Sequence, residues 1–391
     1  MNPHRVSTIV LVAGESSGDQ LGAALIDAIR AQQPDTQFAG IGGPLMKAAG
    51  MDCWWDSAEL AIMGIAEIVK HIPRLLKLRK QLINKVVELQ PDVFIGIDAP
   101  DFNLGVEKRL KARSISVIHY VSPTVWAWRP GRVKTIAAST ERVLCLFPFE
   151  PACYPPDSVK TDYTGHPLAD SIPIDNDADS ARETLNLSSD GPYMALLPGS
   201  RLGEVEKLLP DMLEAAFLLQ KRYPQSCFMI PAVSQQIRDA IETRIRQFSG
   251  LNALVFDSNA KTIMAAADVV VLASGTATLE VMLVNRPMVV CYRLAGTTYR
   301  MFKWLKLLIT PYISLPNILA NEELVPELLQ DNVNAEKIAF EVQNWLQQPQ
   351  RRDELKARFI GIHEQLRTDA AATAAIAVLN HIALNKASLH G

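Results

Sequence analysis

The chain has 391 residues, 48% of them hydrophobic and 21% charged, with a net charge of −3 at pH 7. That length exceeds what one hydrophobic core usually serves, so about two domains are expected, and the charge balance gives no global attraction to nucleic acid. The five cysteines (Cys53, Cys145, Cys153, Cys227 and Cys291) are scattered, odd in number and without Cys-x-x-Cys spacing, which argues against a disulfide framework or a zinc site and for a reducing cytosol.

The N-terminus runs from Met1-Asn2-Pro3-His4-Arg5 straight into an apolar stretch, so no signal peptide is expected. Residues 6–13 form a continuous apolar run, the pattern of a buried parallel strand. The turn Gly14-Glu15-Ser16-Ser17-Gly18-Asp19 follows, with Ser and Asp available as N-caps, and then a helix through Leu21, Leu25 and Ile29. Further strands are expected at residues 38–41, 93–97, 116–120 and 142–147, with helices at 75–89 and 104–112. A polar, turn-rich segment from Gly165-His166-Pro167 to Asp190-Gly191-Pro192 reads as a linker. The alternation then restarts: strands at 193–197, 226–230, 253–256, 269–272 and 288–292, and helices near 204–223, 235–248, 260–267 and 278–284. From Ala335 onward the chain reads as helical, ending in the alanine-rich segment 370–384, which needs a surface for its apolar face. No run of about 18 uncharged apolar residues could span a bilayer.

Repeated βαβ units in two blocks imply an α/β protein of two doubly wound, Rossmann-like domains facing across a cleft. The expected division is residues 1–175, an N-terminal domain; 176–365, a C-terminal domain; and 366–391, a helix returning to the first domain or to a dimer partner.

Two strand–turn–helix elements in the second half carry the most chemistry. Leu196-Leu197-Pro198-Gly199-Ser200-Arg201 and Ala273-Ser274-Gly275-Thr276-Ala277-Thr278-Leu279-Glu280 both aim helix N-termini at the carboxyl edge of a parallel sheet, where such sheets bind ligands. Free backbone N–H groups, the positive helix end and the Arg201 guanidinium suit a diphosphate. Glu280 could accept hydrogen bonds from sugar hydroxyls. This is a nucleotide-sugar pattern, and the chain holds no GxxxxGK[ST] loop.

In the first half, Asp98 follows the strand 93–97 and should project from its carboxyl edge, where a carboxylate can act as general base toward a hydroxyl. The same place also suits a turn or cap aspartate, which is the reading for Asp101. Glu15, Ser16 and Ser17 lie in the first turn, which caps a helix and would line an acceptor pocket across the cleft. His119 and His363 read as structural. Nothing has metal-ligand spacing, so no metal is expected.

Two basic amphipathic segments suit an anionic lipid surface. One carries Ile68, Val69, Ile72, Leu75 and Leu76, with no acidic residue between Lys70 and Gln81; the other carries Met301, Trp304 and Leu305, with Arg300, Lys303 and Lys306 opposite. Each could equally be a core-facing helix with a solvated basic side.

Taken together, Val12-Ala13-Gly14-Glu15-Ser16-Ser17-Gly18-Asp19, Gly165-His166-Pro167-Leu168, Leu197-Pro198-Gly199-Ser200-Arg201, Ser274-Gly275-Thr276-Ala277-Thr278-Leu279-Glu280 and Ser314-Leu315-Pro316-Asn317 resemble the signatures of the lipid-A-disaccharide synthase family, in order over nearly the whole chain. The resemblance implies an inverting GT-B hexosyltransferase of Gram-negative lipopolysaccharide biosynthesis. Such an enzyme joins UDP-2,3-diacylglucosamine to 2,3-diacylglucosamine 1-phosphate (lipid X), giving a β-1,6-linked disaccharide 1-phosphate and UDP without metal or cofactor. On this reading Asp98, Arg201 and Asn317 are catalytic, with Asn317 orienting donor or leaving group. Ser200, Arg201, Ser274, Gly275, Thr276, Ala277, Thr278 and Glu280 hold UDP, and Glu15, Ser16 and Ser17 face the acceptor. The resemblance further implies a homodimer, peripheral on the inner face of the inner membrane, with no nucleic-acid partner. Two alternatives stand beside it: a UDP-N-acetylglucosamine 2-epimerase-like enzyme, and a non-catalytic lipid-binding protein on the same fold.

Overall fold

The computed structural model describes residues 6–60, 65–126, 131–187, 191–293 and 310–388, with backbone alone at 65–72. The chain divides into two compact units, Met1–Asp170 with Leu366–Gly391, and Ser171–Gln365.

The first unit runs β1 (Thr8–Ala13), α1 (Ser16–Gln32), β2 (Gln37–Gly42), α2 (Pro44–Ala48), β3 (Asp52–Asp56), α3 (Ile65–Leu89), β4 (Val93–Ile97), α4 (Pro100–Lys111), β5 (Val117–Tyr120), α5 (Arg132–Ser139), β6 (Arg142–Cys145) and β7 (Lys160–Tyr163), with the short helix α6 (Pro167–Ser171) at its end. Among the described residues its strands form one seven-stranded sheet in the order β3-β2-β1-β4-β5-β6-β7, with every pairing parallel. β1 and β4 are central and covered on both faces, so they read as unbroken apolar runs. On one face, Leu78, Leu82 and Val86 of α3 and Phe102, Val106 and Leu110 of α4 recur every fourth residue and pack with Val10, Val12, Phe94 and Val117. On the other face α1 packs against the C-terminal helix Ala370–Ser388, whose Ala370, Ala374, Ala375 and Val378 are buried.

The Gly165-His166-Pro167 motif fastens that returning helix. Gly165 has φ +82°, and a Cβ there would fall 1.9 Å from Thr368 Oγ1, so no other residue fits. Thr368 Oγ1 donates to Thr164 O at 2.6 Å, and His166 N donates to Leu366 O at 2.9 Å. The Asp170 carboxylate then accepts Asp369 N at 3.0 Å and Ala370 N at 2.7 Å, capping the helix start.

The second unit runs α7 (Ala178–Thr184), β8 (Tyr193–Leu197), α8 (Leu202–Arg222), β9 (Cys227–Ala232), α9 (Gln235–Ile245), β10 (Ala253–Asp257), α10 (Ala260–Ala266), β11 (Val269–Ala273), α11 (Ala277–Leu283) and β12 (Met288–Tyr292), followed after residues 294–309 by helix Leu315–Ala320, β13 (Glu327–Leu329) and two longer helices, Ala335–Gln347 and Pro349–Leu366. Its six strands among the described residues lie β10-β9-β8-β11-β12-β13, again all parallel. Both sheets start in the middle, build outward on one side, and then cross back to the other. That reversal creates a crevice at the carboxyl edge, between β1 and β4 in one sheet and between β8 and β11 in the other.

Three strands depart from the sequence expectation, and all three are sheet edges: β3, β7 and β13. Helix α3 also begins at Ile65 rather than near residue 75, passing through Pro73. Asp19, read as a possible cap of its own helix, instead caps α2: buried in the first turn of α1, it accepts Gly43 N at 2.7 Å, Leu45 N at 3.0 Å and Met46 N at 3.0 Å.

Candidate active site

The β8–β11 reversal of the second unit brings together the two turns singled out in the sequence. After β8, Gly199 takes φ +127°, and a Cβ there would lie 2.6 Å from Glu204 Oε2. Glycine thus lets the first turn of α8 fold tightly over the strand end. Ser200 is exposed, and Arg201 occupies the N-cap position of α8. The Arg201 side chain is 85% exposed, and its guanidinium sits 3.7 Å from Glu204 Oε1, a loose pairing that leaves most of its N–H groups open. The backbone N–H groups of Ser200, Arg201, Leu202 and Gly203 find no acceptor among the described residues.

At the end of β11, Gly275 and Thr276 are exposed, and the N–H groups of Gly275, Thr276 and Ala277 likewise find no acceptor among the described residues. Their neighbours act differently. Ser274 Oγ donates to Ile313 O at 3.0 Å; Thr278, fully buried, donates through Oγ1 to Gly275 O at 2.7 Å and accepts Leu315 N at 3.3 Å. These two hydroxyls fix the turn to segment 313–315, while Gly275, Thr276 and Ala277 stay free to meet an anion. Glu280 is half-buried, and its carboxylate makes no hydrogen bond with a described residue. Burial pushes its carboxyl above the ordinary range, with Lys261 pulling the other way.

Asn317 was expected to orient donor or leaving group directly. It is fully buried, and its amide is committed: Nδ2 donates to Val325 O and Glu327 Oε1, both at 2.9 Å, while Oδ1 accepts Leu324 N at 2.9 Å and Val325 N at 3.0 Å. Glu327, which no motif announced, is the hub of this clip. It also accepts Ser314 N at 2.9 Å and Ser314 Oγ at 2.6 Å. With no group left over, Asn317 positions segment 313–317, which in turn holds Ser274 and Thr278.

The first unit has its own reversal between β1 and β4, and Asp98 stands there. Asp98 (φ +48°) and Ala99 (φ +43°) are successive left-handed residues without a glycine. Left-handed backbone costs a non-glycine residue about 1–2 kcal/mol, so the turn is strained. Asn103, fully buried one turn into α4, holds it: Nδ2 donates to Asp98 O at 2.9 Å and to the carbonyls of Ile97 and Val12 at 3.3 Å each. The Asp98 carboxylate is partly exposed and has no hydrogen bond or ion pair with a described residue. A Cβ on Gly14 would come within 3.1 Å of Ala99 Cβ, so the Gly14-Glu15-Ser16-Ser17 turn abuts the Asp98 turn. Glu15, Ser16 and Ser17 are all exposed. Asp101 pairs with Arg132. Beneath the turn, Glu107 Oε1 meets His119 Nδ1 at 2.6 Å, both fully buried, and Gly96 leaves Glu107 its room, since a Cβ there would lie 2.1 Å from Oε1.

Residues 9–380 match the family model described as Lipid-A-disaccharide synthetase. The chain belongs to that family. It is 48% identical over 376 residues to the Lipid-A-disaccharide synthase of Xanthomonas campestris pv. campestris (strain 8004), covering 96% of this chain and 86% of that protein. The protein of that name from Xylella fastidiosa (strain M12) is 46% identical over 372 residues, covering 95% and 97%. Among solved structures, Acinetobacter baumannii MurG superposes with a TM-score of 0.58 at 15% identity, covering 96% of this chain and 100% of that one. A UDP-GlcNAc 2-epimerase from Neisseria meningitidis gives 0.59 at 12% identity, covering 96% and 99%. At such identities these likenesses establish the GT-B fold alone. Family membership makes the chain a glycosyltransferase of lipid A biosynthesis.

Of the residues expected to meet a membrane, Met301, Trp304 and Leu305 and the side chains of Ile68, Val69 and Ile72 lie outside the described residues. Leu75 is half-buried, and Leu76 is 52% exposed. Among the described residues no helix is long and apolar enough to cross a membrane.

Proposed function

We propose that the chain transfers 2,3-diacylglucosamine from its UDP derivative to the 6-hydroxyl of 2,3-diacylglucosamine 1-phosphate (lipid X), forming a β-1,6 bond and releasing UDP. One observation carries the reading: a lipid-A-disaccharide synthase family chain has an unpaired carboxylate at one sheet reversal and unpartnered N–H groups beside an open arginine at the other. Asp98 accepts the hydroxyl proton as the oxygen attacks the anomeric carbon. The C–O bond to the β-phosphate breaks in the same displacement, so an α-linked donor gives a β product. Arg201 and the N–H groups of Ser200 and Gly275 to Ala277 take up charge on the departing diphosphate. Glu280 accepts the ribose hydroxyls; Ser274, Thr278 and Asn317 hold the turns in place; Glu15, Ser16 and Ser17 face the acceptor. The acylated substrates place the enzyme at the inner face of the inner membrane, attached through Leu75, Leu76 and the undescribed apolar residues named above.

The test is UDP release. It should require both donor and lipid X, and Asp98→Asn should lower kcat by about 10²–10⁴-fold in a folded protein. A second reading, the 2-epimerase, is favoured only by the shared fold. UDP release from the donor alone, or wild-type rates in the Asp98 variant, would remove the transferase mechanism.

A further inference from the structure

A cavity of about 300 Å³ lies between α3 and the end of α4, lined by none of the groups proposed to act on donor or acceptor hydroxyl. Four cations line it, Arg79 and Lys80 from α3, Arg109 from the last turn of α4 and Arg113 from the turn just beyond it, with Leu76 and Ile83 as its apolar wall. The two core stripes set this geometry. Leu78 and Leu82 press α3 onto the sheet, Val106 and Leu110 press α4 beside it, and the adjoining faces meet in the groove between. On α3, Leu76, Arg79, Lys80 and Ile83 follow i, i+3, i+4, i+7, while Arg109 lies in the last turn of α4 and Arg113 follows in the turn beyond.

No acidic side chain lines the cavity, and none of its four cations forms an ion pair with a described residue. The guanidiniums are held by backbone instead. Arg79 Nη2 donates to Asp101 O at 3.0 Å, Arg109 Nη1 to Gly105 O at 3.2 Å and Arg113 Nη1 to Arg109 O at 2.8 Å. Arg79 also lies over the Phe102 ring at 5.1 Å, and its buried Nε has no partner among the described residues. Gly105 makes room for it, since a Cβ there would sit 2.9 Å from Arg79 Nη1. Burial, and then the charge of Arg109, pull the Arg79 pKa down.

We propose that this cavity binds a phosphate group carried on an amphiphile, the arginine forks taking the phosphoryl oxygens while Leu76 and Ile83 face its apolar part. Arginine forks match phosphate geometry. At about 300 Å³ the cavity has room for one phosphate with its adjoining sugar or glycerol. Two sources share this chemistry: the phosphate of the acceptor, which rests on the function proposed above, and the phosphate of a bilayer phospholipid, which does not.

The test compares Arg109→Gln/Arg113→Gln with Lys77→Gln/Lys108→Gln, a control that removes the same charge from exposed positions of the same helices outside the cavity. Acceptor KM is measured in detergent micelles free of phospholipid, and flotation is measured with phosphatidylcholine vesicles with and without phosphatidylglycerol. The arginine pair should raise acceptor KM about tenfold or more at nearly unchanged kcat, which assigns the acceptor's phosphate. Alternatively it should weaken flotation on phosphatidylglycerol vesicles by a similar factor, which assigns a phospholipid. No change in either arm overturns the site, and so does an equal loss in the lysine control, which would mean diffuse attraction. If the wild-type protein releases no UDP with acceptor, the proposed function fails and flotation alone decides the site.

Discussion

Removing Asn103 tests whether the strained Asp98 turn matters to catalysis. Two left-handed residues at about 1–2 kcal/mol each put roughly 2–4 kcal/mol into that turn. Against it stands one amide, whose two N–H groups serve three carbonyls, those of Asp98, Ile97 and Val12. Two effective bonds at about 1 kcal/mol each, plus about 1–3 kcal/mol for leaving buried carbonyls without a donor, come to the same size. Strain and restraint are therefore nearly balanced, and Asn103→Ala should release the turn as well as weaken the fold. The expected loss in urea unfolding at 25 °C is about 1 kcal/mol if the turn relaxes fully and about 3–5 kcal/mol if it does not. The more telling expectation is kinetic. A carboxylate displaced by about an ångström loses on the order of 10² in turnover, whereas donor KM should hold within about twofold, because the donor groups belong to the other unit. Asn103→Asp keeps the side-chain volume but removes the donor, and should show the same split. A folded Asn103→Ala protein with wild-type kcat would refute the reasoning: the turn would then be held by something else, or Asp98 would not be the base.

Two further substitutions probe carboxylates that burial has shifted. In the proposed role of Glu280 at the ribose the ionised carboxylate is the better acceptor, and burial raises its pKa, so donor KM should climb as pH falls through that raised value; Glu280→Gln should raise donor KM about tenfold and flatten this acid limb, and an unaltered pH curve would release Glu280 from the donor site. Glu150 accepts Leu146 N and Phe147 N at 2.9 and 3.0 Å, yet burial still lifts its carboxyl from 4.5 to about 7. The folded chain thus keeps this proton longer than the unfolded chain, so the stability it contributes is complete below pH 4.5 and is lost as pH rises to about 7. At about 1.4 kcal/mol per pH unit the loss is about 3 kcal/mol, and Glu150→Gln should abolish that slope in urea midpoints taken from pH 4 to 8.

The strands that the sequence displayed and those it hid divide along a physical line. Central strands such as β1, β4, β8 and β11 are covered on both faces and appear as apolar runs. β3, β7 and β13 are edges with half-open faces; Asp52-Cys53-Trp54-Trp55-Asp56 and Lys160-Thr161-Asp162-Tyr163 show no such run. The start of α3 was misplaced because a proline usually ends a helix pattern, and Pro73 does not. At the candidate site, turns were legible because glycine and small residues announce them, as at Gly199 and Gly275. The clips behind the turns were not legible. Asn103 reaches a carbonyl 91 residues away, and Glu327 gathers donors from segment 313–317 across a loop. A residue type advertises what it can bond to, but only the fold selects the partner, which is why Asn317 looked like a donor contact and turned out to be committed inside its own loop.

The arrangement of cations around α4 bears on why Asp98 and not Asp101 is proposed as the reactive carboxylate. Two arginines reach the first turn of that helix, and both go to Asp101: Arg132 to its carboxylate and Arg79 to its carbonyl. A carboxylate in a charge-assisted pair with a guanidinium has acceptor lone pairs already committed. A hydroxyl approaching Asp101 would have to displace Arg132, whereas a hydroxyl approaching Asp98 displaces no described side chain. In the second unit the logic is inverted: anion-seeking N–H groups are left open beside Arg201, and the Glu204 carboxylate stands off from it at 3.7 Å. The reversals therefore leave open the groups that the proposed glycosyl transfer would use, the Asp98 carboxylate in the first unit and anion-binding N–H groups in the second.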